Sequence, residues 1–344
     1  MIIRSRAPLR LGLAGGGTDV SPYSDEYGGN ILNATISLYA YATIIPRKDG
    51  KIKLVSEDRQ EEVISDSLPE LAFDGNLDLL KGVYNRIVRQ YVKKPLSFEL
   101  HTFVDAPAGS GLGTSSTLVV AIIGAFAEWL EIPLGEYDIA RMAYEIERIE
   151  MGMSGGKQDQ YAATFGGFNF MEFYADDKVI VNPLRIRKTS VLELESNLVL
   201  YYTGTSRLSS MIIDAQIKNA TSKVKKSVEA MHQLKNQAIH MKEALLLGKL
   251  DKLGENLNEG WEFKKQMTEE ISNPLIDEIY TEARKAGSTG GKISGAGGGG
   301  FMFFYCPENT KQKVINALKP FGGQIKQFNF VEEGVTTWKI DEHD

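Results

Sequence analysis

The stretch Asp105-Ala-Pro-Ala-Gly-Ser-Gly-Leu-Gly-Thr-Ser-Ser116, which runs straight into the apolar segment 117–130, carries most of what this chain discloses about itself. Gly109, Gly111 and Gly113 fall at alternate positions, so the backbone can take positive φ there and approach a ligand with no Cβ in the way. A helix beginning at the end of the stretch aims its unpaired N–H groups and the positive end of its dipole into the loop, and Thr114, Ser115 and Ser116 add hydroxyls for capping or for a metal. A phosphate cradle and an ordinary structural turn both satisfy these residues, and the surroundings must separate them.

Upstream, residues 96–103 alternate apolar and polar as a strand does, giving the strand, loop, helix order that suits an anion site. The usual nucleotide signatures do not apply. The pattern G-x-x-x-x-G-K-[ST] is absent, as are the H-R-D and D-F-G elements, and a dinucleotide fold would want G-x-G-x-x-G after the first strand. A second candidate loop follows the short strand predicted over 2–6: Ala7-Pro-Leu-Arg-Leu-Gly-Leu-Ala-Gly-Gly-Gly-Thr-Asp19 joins one base, three glycines and one carboxylate, with a tight turn capped by Asp19 as the alternative. A third, Gly290-Gly-Lys-Ile-Ser-Gly-Ala-Gly-Gly-Gly-Gly-Phe301, spends seven glycines on folding entropy without filling a core. Between them, Gly152-Met-Ser-Gly-Gly-Lys-Gln-Asp-Gln160 sets a carboxylate, a lysine and two amides among glycines, after a helix predicted over 137–151. In that helix Glu145, Glu147 and Glu150 read mostly as a solvated face.

Further along, 35–46 reads as a strand, 77–91 as a helix, 208–247 as mostly one long helix and 274–286 as a shorter one; strands 301–305 and 324–330 flank a helix over 310–318. The fold class is α+β, with two lobes divided near Thr189 into residues 1–189 and 190–344. Its 344 residues, 42% hydrophobic and 24% charged, suffice for two cores with a cleft between them. A net charge of −6 provides no basic footprint for nucleic acid, so local bases and backbone amides would have to attract any anionic substrate. One cysteine, Cys306, and four histidines exclude a disulfide framework and a zinc site of familiar spacing. The amino terminus lacks the apolar core of a signal peptide, and the longest apolar run, 118–127, is too short to span a bilayer, so the expectation is a cytoplasmic protein with no membrane partner. A homodimer is left open.

Three glycine-rich loops in this order resemble the GHMP small-molecule kinases. The residues bearing the resemblance are Ala7-Pro-Leu-Arg through Gly-Thr-Asp19, Pro107 through Ser116, and Lys292-Ile-Ser-Gly-Ala-Gly-Gly-Gly299 with Gly300, so it spans nearly the whole chain. It implies a ribosomal S5 domain 2-like N-terminal lobe and a ferredoxin-like C-terminal lobe, with ATP and substrate in the cleft. The Gly-Gly-Gly-Thr-Asp form of the first loop is most similar to the branch acting on the anomeric hydroxyl of D-glycero-D-manno-heptose 7-phosphate. Galactokinases carry Glu-His where this chain has Gly16-Gly17, and their loss makes room for a larger sugar phosphate. A fucokinase-like specificity is the alternative, followed by a non-catalytic sugar and ATP sensor and by a phosphomevalonate decarboxylase.

The resemblance also implies roles. Asp159 would orient, and deprotonate, the attacking hydroxyl, and Arg10 would stabilise charge near the γ-phosphate. Pro107, Ala108, Gly109, Ser110, Gly111, Leu112, Gly113, Thr114, Ser115 and Ser116 would bind ATP. Glu147 would hold Mg²⁺ with Ser115, or with Ser116 if the register slips by one. Gly16, Gly17, Thr18 and Asp19 would meet the sugar, with Gly295, Ala296, Gly297 and Gly298 closing from the other lobe. Lys157 and Arg207 are the candidates for the sugar's own phosphate, whereas Arg185, Arg187 and Lys188 should face solvent.

Overall fold

A computed structural model describes residues 1–205 and 209–340. The chain begins with β1 (Ile2–Ala14), α1 (Tyr23–Tyr27) and β2 (Gly29–Pro46), then β3 (Lys51–Ser56), β4 (Glu61–Asp66), α2 (Asp78–Ile87), β5 (Phe98–Val104), α3 (Thr114–Leu130), α4 (Glu136–Tyr144), α5 (Gln158–Phe165), β6 (Phe168–Phe173) and β7 (Val179–Pro183). These strands form one sheet, antiparallel except where β3 runs parallel to β5. Strand β2, rich in β-branched and aromatic residues, pairs with β1 along one edge. Its other edge meets β6 over Gly29 to Ala34 and β5 over Ala40 to Pro46. The β1–β2 register slips between Pro8 and Leu9, as expected where proline cannot donate to the ladder, and Arg10 lies just beyond the slip. Helix α3 is apolar nearly all round and packs on β1 and β2, so the expected apolar run serves as the lobe's central buried helix.

The second part comprises α6 (Lys188–Asn197), β8 (Leu198–Tyr202), α7 (Ser209–Thr221), α8 (Lys225–Leu247), α9 (Asp251–Lys265), α10 (Pro274–Lys285), β9 (Gly290–Ile293), β10 (Phe301–Tyr305), α11 (Lys311–Leu318) and β11 (Gln324–Lys326). Its sheet is antiparallel in the order β11-β8-β10-β9, the split βαββαβ arrangement of a ferredoxin-like lobe. Two details depart from expectation. The long helix over 208–247 is interrupted between Thr221 and Lys225, and the strand expected over 324–330 stops at Lys326. The chain then returns: β12 (Thr336–Ile340) pairs with β1, so a cut at residue 189 separates the two sheets except for this last strand. Helix α8 also lies on β1 and β2, and α9 packs on β9, which brings the end of α9 and the turn before β10 up to the glycine loops of the first lobe. Trp261, Tyr201 and Phe304 anchor the second core.

Candidate active site

Arg10 is the meeting point of three distant segments. Its Nε and Nη2 donate to Oδ1 of Asp159 at 2.7 and 2.6 Å, while Nη1 donates to the Gly111 carbonyl at 2.6 Å and to Ser294 Oγ at 3.3 Å. One buried guanidinium therefore ties strand β1 to the glycine loop, the start of α5 and the third loop. The loops themselves interlock. Gly111 has φ +82°, and a Cβ there would lie 2.3 Å from the Ser294 carbonyl oxygen, so only glycine permits this approach. Phe301 N–H donates to the Ser110 carbonyl at 2.8 Å, fastening the same loop to β10. Because Arg10 occupies only Oδ1, Asp159 Oδ2 is left toward Gly113, whose absent side chain would have begun 3.2 Å away.

Around this centre opens a cleft of about 910 Å³. Arg10, Gly17, Asp19, Ala108, Gly109, Gly111, Gly113, Thr114, Ser115, Ser116, Asp159, Gly295 and Ala296 line it, so residues separated by up to 286 positions converge. Leu77, Leu79, Leu80, Val104 and Ala106, which belong to or pack on the first core, give part of its lining an apolar character. On another wall the chain after α4 widens into an i→i+5 turn over Glu145–Glu150, with Met151 N–H reaching the Ile146 carbonyl. This turn rotates Glu147 fully inward. Gln160 Nε2 donates to Glu147 Oε2 at 2.6 Å and to Ser116 Oγ at 3.1 Å, and Glu147 Oε1 is buried with no hydrogen-bond partner.

Residues 78–167 match the family described as GHMP kinases N terminal domain, and residues 241–323 match GHMP kinases C terminal. The chain is 52% identical to the D-glycero-alpha-D-manno-heptose 7-phosphate kinase of Campylobacter jejuni, over 98% of its own length and 99% of that protein's. The chain belongs to the GHMP kinase family. A crystal structure of a D-glycero-D-manno-heptose 1-phosphate kinase from Bacteroides thetaiotaomicron is similar with a TM-score of 0.85 at 48% identity, covering 99% of this chain and 100% of that one. A bifunctional fucokinase/GDP-fucose pyrophosphorylase of Arabidopsis thaliana is 27% identical over 90% of this chain, which spans 30% of that longer protein. This GHMP kinase is accordingly a phosphotransferase.

Several expected site residues of this kinase sit elsewhere or do other work. Lys157 does not line the cleft: it is 2% exposed, and its ammonium pairs with Asp177 at 2.7 Å and lies over the Tyr144 ring. Arg207 lies outside the described residues. Thr18 is buried and fastens its own loop, donating to the Gly15 carbonyl at 2.8 Å. Asp19 accepts from the backbone N–H groups of Lys157 and Gln158 at 2.9 and 3.0 Å, and burial pushes its carboxyl above the usual range. Ser110 and Leu112 are fully buried, and Gly298 donates to the Ile271 carbonyl, with Gly297 packed against the same residue. Pro107 and Gly16 also lie off the cleft lining. Of the two serines left open, both line the cleft, and Ser116 is the one Gln160 ties to Glu147. Glu145 and Glu150 are half-buried and not on a free solvated face: Arg86 bridges both, binding α2 to the wide turn. Arg185, Arg187 and Lys188 are exposed as expected.

The cleft also holds bases that no motif announced. Arg148 sits on the Gly156 carbonyl at 3.3 Å and Ser116 Oγ at 3.4 Å. Lys264, at the end of α9, is 2% exposed and donates to the Gly295 carbonyl at 2.5 Å. Burial and, secondarily, the positive charge of Arg10 push its pKa down to about 8, with Asp19 and Asp159 opposing. Lys292 behind it is held well below the ordinary range by burial, Lys264 and Arg10. Only the spacing of α9, whose last turn faces the loops, could have drawn attention to Lys264.

Proposed function

We propose that this kinase transfers the γ-phosphoryl group of ATP to the C1 hydroxyl of D-glycero-D-manno-heptose 7-phosphate, giving the 1,7-bisphosphate. The observation that carries the reading is the Arg10–Asp159 pair at the junction of both glycine loops. Phosphoryl transfer needs alignment, charge neutralisation and a route for the hydroxyl proton. Asp159 Oδ2, not engaged by Arg10, accepts that proton as the bond from the sugar oxygen to phosphorus forms and the bond to the departing ADP breaks. Arg10 fixes the carboxylate and sets positive charge beside the transferring group. The N–H groups of the loop 109–113 and of the first turn of α3 cradle the phosphates, and the leucine-lined part of the cleft accepts the base. Glu147, whose Oε1 has no hydrogen-bond partner, and Ser116 are the residues that would hold Mg²⁺, which when bound neutralises triphosphate charge. Gln160 orients both.

A fucose-type sugar is the second reading, favoured by the 27% identical fucokinase relative. The names of the two heptose relatives also differ over which phosphate the sugar carries, the 7- or the 1-phosphate. Heptose 7-phosphate, heptose 1-phosphate, fucose, galactose and mannose offered with ATP and Mg²⁺, followed by ADP release and phosphorus NMR, test the proposal. An anomeric phosphate signal growing fastest with heptose 7-phosphate is the expected result. Faster turnover of fucose, or phosphate appearing at a carbon other than C1, refutes it.

A further inference from the structure

A sugar phosphate brings a dianion into the cleft, and among the described residues four cations line that cleft: Arg10, Arg59, Arg148 and Lys264. Three already face carboxylates. Arg10 is bonded to Asp159, Arg59 to Glu61 at 2.7 Å, and Arg148 lies 3.7 Å from Glu147. Among the described residues Lys264 has no carboxylate within ion-pair distance, and the Gly295 carbonyl is its one hydrogen-bond acceptor. Taking a lone ammonium out of water is costly unless a counter-charge arrives.

The first loop leaves room for such a counter-charge. A Cβ built on Gly16 would lie 3.4 Å from Lys264 Nζ, so any longer side chain there would grow onto the ammonium. With glycine at 16 no side chain of the first loop stands against the ammonium, whereas a Cβ at Gly17 would meet Met267. We infer that Lys264 binds the phosphate the sugar substrate already carries, and that Gly16 keeps the space in front of it open. The depressed pKa of Lys264 accords with this, because a bound dianion would restore the charge that burial and Arg10 disfavour. The assignment rests on the sugar-phosphate reading above and names the partner that neither Lys157 nor the motifs supplied.

Steady-state kinetics on the full chain with D-glycero-D-manno-heptose 7-phosphate and with the unphosphorylated heptose test it, scored as the ratio of their kcat/KM values. In Lys264→Met that ratio should fall about 10- to 100-fold, the loss of one charge-assisted contact, with KM for ATP unmoved. Gly16→Glu, which sets a carboxylate against the ammonium, should lower the ratio in the same direction and keeps the test open if the Met variant fails to fold. An unchanged ratio in either folded variant overturns the assignment while leaving the sugar-phosphate reading standing. A wild-type enzyme with no preference for the phosphorylated sugar overturns both.

Discussion

Replacing Lys264 by Met removes a buried ammonium while keeping most of the side chain's volume, so its effect on stability can be worked out with a sign. The lysine has a pKa of about 8 in the fold, against about 10.4 when unfolded. Below pH 8 it is charged in both states, and folding bears the full cost of burying the charge, about 3 kcal/mol. Between the two values the unfolded chain holds a proton that the folded one has released, so wild-type stability rises with pH through this window. By pH 10 the residual cost is below about 1 kcal/mol. The Met variant has no such dependence and loses only the bond to the Gly295 carbonyl, about 1 kcal/mol. At pH 7 it should therefore be more stable than wild type by about 2 kcal/mol, or on the order of 3 °C in Tm for a chain of this length. That advantage should shrink to near zero by pH 10. Thermal and urea unfolding at pH 7, 8, 9 and 10, in the absence of ligand, measure it. Arg10, Asp19, Asp159 and Lys292 surround the ammonium and are unchanged in both proteins. A Met variant less stable than wild type at pH 7, or an advantage that does not vary with pH, refutes the view of Lys264 as a charge held without a partner.

Asp159→Asn should lower kcat about 10²- to 10⁴-fold while calorimetry still detects ATP binding; a variant keeping a tenth of wild-type turnover would remove the aspartate from proton transfer. Gly111→Ala forces a Cβ to within 2.3 Å of the Ser294 carbonyl oxygen, so the two loops must part, costing at least about 1–3 kcal/mol and raising KM for ATP. Unfolding curves and ATP titrations that match wild type would contradict that contact. Gln160→Ala releases both Glu147 and Ser116, and activity should then need about 10- to 100-fold more Mg²⁺ with KM for the sugar phosphate unaltered; a magnesium titration superimposable on wild type tells against the pairing.

The glycine loops were legible because their information is local. Glycine at 109, 111 and 113 dictates what the backbone can do there, and an apolar run behind it dictates a buried helix, with no need to know the rest of the chain. Arg10 and Asp159 each lie inside a short motif, and their roles were implied by the resemblance that those motifs carry. The ferredoxin-like second lobe was implied by the family resemblance and not by its elements, since β9 lies inside what reads as a glycine loop, and the return of β12 to β1 had no local signal.

What the motifs could not say is where a side chain goes once the backbone bends or another element packs on it. The wide turn at Glu145–Glu150 sends Glu147 inward and its two acidic neighbours to Arg86, a choice that depends on α2 lying alongside. Lys157 sits within a glycine-rich motif yet points to Asp177, and Lys264 sits in an unremarked helix yet reaches the cleft, because α9 packs on β9 and carries its last turn to the third loop. Sequence by itself determined the loops and their order, since backbone preference is a property of a few adjacent residues. The tertiary structure alone decided which charges meet, since burial and pairing of a charge are set by groups that the chain brings from far away.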